Sequence, residues 1–86
     1  MSQADQPLTA SFSTLVLSIG SSAAMAMGLA PKPGAKKPEV DLPMARFHID
    51  LLVLLKEKTK KNLDTDEEQF LESVLNDLQL KFVQLK

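Results

Sequence analysis

The chain has 86 residues and a formal net charge of -1, from ten basic and eleven acidic side chains. This length allows one small domain, and the absence of Cys excludes disulfides, thiolate metal sites and cysteine nucleophiles. The balanced charge argues against nucleic acid as a partner, because nucleic-acid binding usually requires a basic face. With no Trp or Tyr and a single His, the composition predicts no enzyme and no cofactor.

The first third of the chain is predicted to contain a tail, a helix and the start of a linker. Residues 1–10 are polar and are expected to be a flexible tail, followed by a single helical domain over 11–86. An apolar period near 3.6 predicts the first helix over about 11–29, capped by Ser11 or Thr9 and ending near Gly28. Pro and Lys residues over 30–40 indicate a linker. The apolar stripe comprises Phe12, Leu15, Val16, Ile19, Ala23, Ala26 and Met27.

Residues 6–31 carry no charge, so the first helix is expected to be covered by protein or by a lipid bilayer. As a helix, 8–30 would reach roughly 35 Å, enough to span a membrane, but its many Ser and Gly residues make insertion marginal. A secretory signal is not expected, because Asp5 stands where that signal requires basic residues. We therefore expect the first helix to pack against protein and the chain to be cytoplasmic. The alternative is inner-membrane association, with the linker lysines Lys32, Lys36 and Lys37 on the cytoplasmic side.

The second helix is predicted over about 42–61, with Asp41 as the N-cap, Pro43 in the first turn and Asn62 as a left-handed terminator. Its polar side chains fall on a narrow strip, and its apolar side chains cover most of the circumference. The apolar set is Leu42, Met44, Ala45, Phe47, Ile49, Leu51, Leu52, Val53, Leu54 and Leu55. A helix with so many apolar sides is typically buried.

The third helix is predicted over 65–85, opening with a capping box between Thr65 and Glu68. Steps of four and three residues then form a heptad seam, which comprises Leu71, Leu75, Leu78, Phe82 and Leu85. Because only two residues separate Asn62 from Thr65, the second and third helices should form an antiparallel hairpin. The fold class is therefore all-α, with three helices.

The charged clusters have structural explanations. The basic run from Lys56 to Lys61 is interpreted as a solvated helix end, because Glu57 interrupts it and can pair with Lys61. The acids Asp64, Asp66 and Glu68 have alternate spacing, but the glycine of a calcium loop is missing, so capping is the predicted role.

The polar residues of the second helix are also interpreted structurally. His48 stands alone, without Cys or a second His, and we expect neither a catalytic nor a metal-binding role for it. Arg46 and Asp50 lie one turn apart, so a local ion pair is expected. If the protein were an enzyme, its candidate catalytic residues would be His48, Asp50 and Glu57. The sequence provides no nucleophile and no phosphate-binding loop to act with them.

Several short segments resemble a known family over about residues 11–80. These are Thr14-Leu15-Val16, Ser21-Ser22-Ala23, Pro38-Glu39-Val40-Asp41-Leu42, Ala45-Arg46, Ile49-Asp50-Leu51-Leu52, Lys58-Thr59 and Asn62-Leu63. The sequence resembles domain of unknown function 1844, a set of small helical proteins that are mostly bacterial. The resemblance implies a small helical bacterial protein, and it transfers no catalytic residue because the family has none assigned.

The apolar excess on the second helix predicts that the chain self-associates and completes a helical bundle as a homo-oligomer. We therefore expect a non-enzymatic oligomeric or adaptor protein. Its partner would be a second copy of the chain or, alternatively, an unidentified protein. The alternative is a membrane-associated protein with the first helix in the bilayer and a cytoplasmic helical hairpin. The candidate self-association surface comprises Phe12, Leu15, Ile19, Ala23, Phe47, Leu51, Leu54 and Leu55.

Overall fold

The computed structural model describes residues 9–29, 34 and 39–85, which contain three α-helices. Helix α1 is Phe12–Ala26, α2 is Leu42–Lys58 and α3 is Thr65–Leu85, and each helix packs against the other two. The predicted all-α class is confirmed. The predicted flexible tail and linker lie almost entirely outside the described residues.

The start of α1 follows the local sequence, whereas its end depends on a contact with a distant residue. Ser11 caps the helix, since its hydroxyl accepts a hydrogen bond from the Thr14 amide at 3.1 Å. The helix ends at Ala26, earlier than the predicted 29, because Met27 pairs with Val40 in an antiparallel bridge. Immediately beyond this pair, the Asp41 amide donates to the Ala26 carbonyl at 2.7 Å. The turn that closes α1 is thus fixed to the start of α2.

Gly28 makes this turn feasible. Its φ of +77° lies in the left-handed region, and the amides of Gly28 and Leu29 donate to the carbonyls of Met25 and Ala24 at 3.1 and 3.0 Å. This is the Schellman arrangement, in which a glycine just past the helix satisfies the last carbonyls. A Cβ at position 28 would lie 2.8 Å from Cγ2 of Val40, so any larger residue would also crowd the bridge.

Helix α2 begins as predicted and ends earlier. Asp41 is the N-cap, accepting a hydrogen bond from the Met44 amide at 3.1 Å. The helix ends at Lys58, three residues before the predicted 61, where the Thr59 hydroxyl bonds the Leu55 carbonyl at 2.7 Å. The left-handed residue is Lys61, with a φ of 71°, and the prediction that Asn62 takes this role is wrong.

Helix α3 has the predicted limits, but its capping box lies one residue earlier than predicted. The Asp64 carboxylate accepts from the Glu67 amide at 2.8 Å, and the Glu67 carboxylate accepts from the Asp64 amide at 3.0 Å. The sequence offers the same spacing twice, as Asp64 with Glu67 and as Thr65 with Glu68. Asp is the stronger N-cap residue of the two, which explains the observed choice.

This cap can be tested by a matched pair of substitutions. Asp64→Ala removes the acceptor for an otherwise unpaired amide, and we expect it to reduce the free energy of unfolding by about 1 kcal/mol. Thr65→Ala leaves both capping hydrogen bonds in place and should change stability by less than about 0.5 kcal/mol. Urea denaturation of both variants measures the difference, and equal losses would contradict the observed cap.

The core is made of small and medium-sized side chains from all three helices. It comprises Val16, Ala23, Ala26, Met27, Ala45, Ile49, Leu52, Leu71, Leu75 and Leu78. Gly20 lies at the contact between α1 and α3, where an added Cβ would meet Val74 at 3.1 Å. The small residues of α1 therefore permit a close approach to α3 within the chain.

Helices α2 and α3 are antiparallel. Lys56, near the end of α2, lies 3.8 Å from Glu72 in the first half of α3. Ile49, near the middle of α2, lines a groove with Phe82 and Val83 from the end of α3. The register therefore runs in opposite directions along the two helices, and the predicted hairpin is observed.

Candidate self-association surface

Helix α2 carries two apolar stripes that face in different directions. One stripe, formed by Ala45, Ile49 and Leu52, is buried in the core. The other, which we name the outer face of α2, is formed by Met44, Phe47, Leu51 and Leu54. Successive outer-face residues are separated by three, four and three positions, the spacing with which one helix packs along another.

The outer face of α2 is only partly covered by the chain itself. The exposed fractions are 44% for Met44, 54% for Phe47 and 48% for Leu54, and Leu51 is half-buried. None of these four residues is among the side chains that pack against the core. Exposed leucines are common singly, but four large apolar side chains aligned on one helix face are characteristic of an interaction surface.

The structure divides the eight predicted surface residues into separate groups. Phe47, Leu51 and Leu54 lie together on the outer face of α2, and Leu15 on α1 is exposed. Phe12, Ile19 and Leu55 are half-buried and pack against the core. Ala23 is fully buried in the core of the single chain, so it offers no accessible surface there. Its small side chain instead lets the helices approach closely.

The predicted surface omitted Met44, which completes the outer face. It lies three residues before Phe47 and is 44% exposed. The step of three residues, continued backwards from Phe47, would have identified it in the sequence. Periodicity alone does not separate the buried stripe of α2 from the outer one, so the sequence assigns Met44 only to the general apolar content of the helix.

Polar groups beside the outer face have local partners. Arg46 Nε lies 3.8 Å from the Asp50 carboxylate, as predicted, with both side chains about two-thirds exposed, so the pair contributes little. The His48 ring nitrogen Nδ1 lies 3.0 Å from the Met44 carbonyl oxygen, and the ring meets that of Phe47 edge-on at 5.3 Å. His48 is thus a half-buried, hydrogen-bonded residue at the border of the outer face.

The charged side chains near the turn between α2 and α3 make an ion pair that the sequence did not predict, and one predicted pair is absent among the described residues. Lys56 pairs with Glu72 across the hairpin, at 3.8 Å between exposed side chains. The predicted pair between Glu57 and Lys61 is not among the ion pairs of residues 39–85. Helix α2 ends before Lys61, which removes the helical spacing the pair requires. The described part of the chain contains no group of three or more His, Cys, Asp or Glu side chains that could hold a metal ion.

Helix α1 is shorter than the membrane alternative requires. It has 15 residues, about 22 Å, whereas a transmembrane helix needs about 20 residues. In the part of the chain that the structure describes, no helix has the length and apolar character needed to cross a bilayer.

Comparison with known proteins identifies a family for this chain. No curated protein and no solved structure matches the chain. The family described as "Domain of unknown function (DUF1844)" matches residues 9–84, which include all three helices and the outer face of α2. The chain therefore belongs to this family of unknown function.

Proposed function

We propose that this protein is a non-enzymatic helical module that works by assembling with a second copy of itself through the outer face of α2. The observation that supports the proposal most directly is the apolar stripe on α2 in which Met44, Phe47 and Leu54 are exposed and Leu51 is half-buried. The three-helix chain covers one side of α2 and leaves this stripe facing solvent.

Covering the outer face of α2 would recover free energy of apolar burial that the single chain leaves unrealised. Burying a large apolar side chain fully contributes about 1.5 to 3 kcal/mol. Four such side chains that are roughly half covered therefore leave about 3 to 6 kcal/mol per chain unrealised. That is a large share of the free energy of unfolding of a whole domain, which is roughly 5 to 15 kcal/mol. Covering the outer face would thus substantially stabilise a chain of this size.

A second copy is the occupant favoured by the spacing of the outer face. Steps of three and four residues place knobs where an identical helix offers matching holes. In a twofold dimer the same patch is used on both copies, so one stripe supplies both halves of the contact. The two charged residues of α2 between Met44 and Leu54 are Arg46 and Asp50, and both lie beside the stripe, so neither would be buried at its centre.

The non-enzymatic part of the proposal is based on the side-chain chemistry available. The single His of the chain has a ring nitrogen within hydrogen-bonding distance of a backbone carbonyl in its own helix. There is no Cys, and the acids Asp64 and Glu67 are engaged with backbone amides as a helix cap. These groups have structural partners that account for their positions.

The mass of the purified protein in solution tests the proposal. Light scattering or sedimentation equilibrium between about 1 and 100 μM should give a concentration-dependent mass that approaches twice the chain mass of 9.4 kDa. A monodisperse monomer across this range would overturn self-association. In that case, a helix from a different protein would be the remaining candidate to cover the outer face.

A further inference from the structure

We infer that the two copies pack with their α2 helices antiparallel, so that Lys58 of each copy meets Glu39 and the capped start of α2 in the other. This inference rests on the proposed self-association and specifies its geometry. It assigns a binding role to two charged residues at opposite ends of the outer face of α2.

The outer face of α2 is symmetric about the level of Ile49. Met44 and Leu54 lie five residues on either side of Ile49, and Phe47 and Leu51 lie two residues on either side. A twofold axis crossing α2 at this level would pair Met44 with the partner's Leu54 and Phe47 with the partner's Leu51. All four apolar side chains of each copy are then covered along a seam of about 15 Å.

The two ends of this seam carry charges of opposite sign. Lys58 follows Leu54 by four residues and therefore continues the outer face by one turn. The antiparallel register places it level with the partner's Val40, between the partner's Glu39 and the partner's Asp41. Within residues 39–85 neither Lys58 nor Glu39 has an ion-pair partner of its own. Two unpaired charges of opposite sign thus meet twice in each dimer.

The parallel alternative would bring like charges together. The end of α2 and the turn after it carry Lys56, Lys58, Lys60 and Lys61. Two parallel helices would place both sets of lysines at one end, with the helix dipoles side by side. At physiological salt, charges repel over about 8 Å, which is similar to the distance between packed helix axes. The antiparallel arrangement separates the two basic clusters to opposite ends of the dimer.

Cysteine cross-linking distinguishes the two arrangements, because the chain contains no native Cys. Met44→Cys and Leu54→Cys chains would be prepared separately and treated with a short bismaleimide, alone and as an equimolar mixture. The antiparallel geometry predicts at least fivefold more cross-linked dimer in the mixture than in either single variant. Efficient cross-linking of Leu54→Cys to itself, or no cross-linking in the mixture while light scattering still shows a dimer, would overturn the inference.

Charge reversal provides a second test with opposite signs for the two arrangements. In the antiparallel dimer, Lys58→Glu and Glu39→Lys should each raise the dimer dissociation constant about five- to thirtyfold, and the double variant should return it to within about threefold of the parent. In a parallel dimer Lys58→Glu would lower the constant by reducing repulsion between lysines, and that result would overturn the inference.

The outcomes separate this inference from the proposal on which it rests. A monomeric parent protein contradicts self-association itself, and the orientation then fails with it. A dimeric parent protein with the parallel pattern of cross-links, or with tighter association of Lys58→Glu, retains the proposed function and rejects only the antiparallel geometry.

Discussion

Replacing Leu54 with glutamate is expected to dissociate the dimer, raising its dissociation constant by at least about 100-fold, while the helical fold of the single chain is retained. Leu54 is 48% exposed in the single chain and lies on the outer face of α2. A twofold dimer contains this side chain twice, so each substitution removes two apolar contacts and introduces two carboxylates into the seam. Losing even about 1.4 kcal/mol per copy gives a factor of about 100.

The expected dissociation is measured by sedimentation equilibrium, with circular dichroism as the check on folding. Leu80→Glu is the matched control, because Leu80 is also an exposed leucine, 61% accessible, on α3 rather than on the outer face of α2. The control should remain dimeric with unchanged helix content. Equal association of both variants would show that the outer face of α2 is not the contact.

The second large effect is expected from the core stripe of the same helix. Leu52 is fully buried, and Leu52→Ala removes its side chain from a core that includes Val16 and Leu71. Such truncations lower the free energy of unfolding by about 2 to 5 kcal/mol, through lost apolar burial and the cavity left behind. In a small domain this is a large fraction of the total stability, so part of the population should be unfolded at 37 °C.

Chemical denaturation at several protein concentrations measures this loss and separates it from association. Unfolding of a dimer depends on concentration, whereas the core defect should persist in dilute solution where chains are monomeric. Leu80→Ala, at an exposed position on α3, is the control and should change stability by less than about 0.5 kcal/mol. A similar loss in both variants would contradict the assignment of Leu52 to the core.

The two predictions use neighbouring positions on one helix for opposite purposes. Leu52 and Leu54 are two residues apart, and the rotation of about 100° per residue turns them to different sides of α2. Glutamate at position 54 should affect association more than folding, and alanine at position 52 should affect folding more than association. Measuring both properties for both variants therefore tests the assignment of the two stripes directly.

The starts of the helices were predictable because their signals are local. Ser11 and Asp41 each cap a helix through a hydrogen bond to an amide three residues later, so the sequence window alone contains the donor and the acceptor. At the start of α3 the local signals do not select a single capping residue. Two overlapping pairs with the same spacing were available there, and the observed box uses Asp64 rather than Thr65.

The ends of the helices were less predictable. For α1, Gly28 is a local signal that places the end of the helix within a few residues, whereas the bridge between Met27 and Val40, thirteen positions further along the chain, is not contained in any pattern within α1. Helix α2 stops where the Thr59 hydroxyl bonds a carbonyl of the last turn, and Lys61 rather than Asn62 takes the left-handed conformation. Asn has the higher preference for that conformation, so the surrounding turn overrides the local propensity.

The all-α class, the three helices, the cap at Asp41 and the excess of apolar residues on α2 can be read from the sequence alone, which also narrows the first cap to Ser11 or Thr9. These properties depend on periodicity and on hydrogen bonds between residues close in the chain. The packing of the three helices is needed to see that Ala45, Ile49 and Leu52 face the core while Met44, Phe47 and Leu54 face outward. A helix with apolar residues on most sides has several directions that it could bury, and the positions of α1 and α3 select one of them.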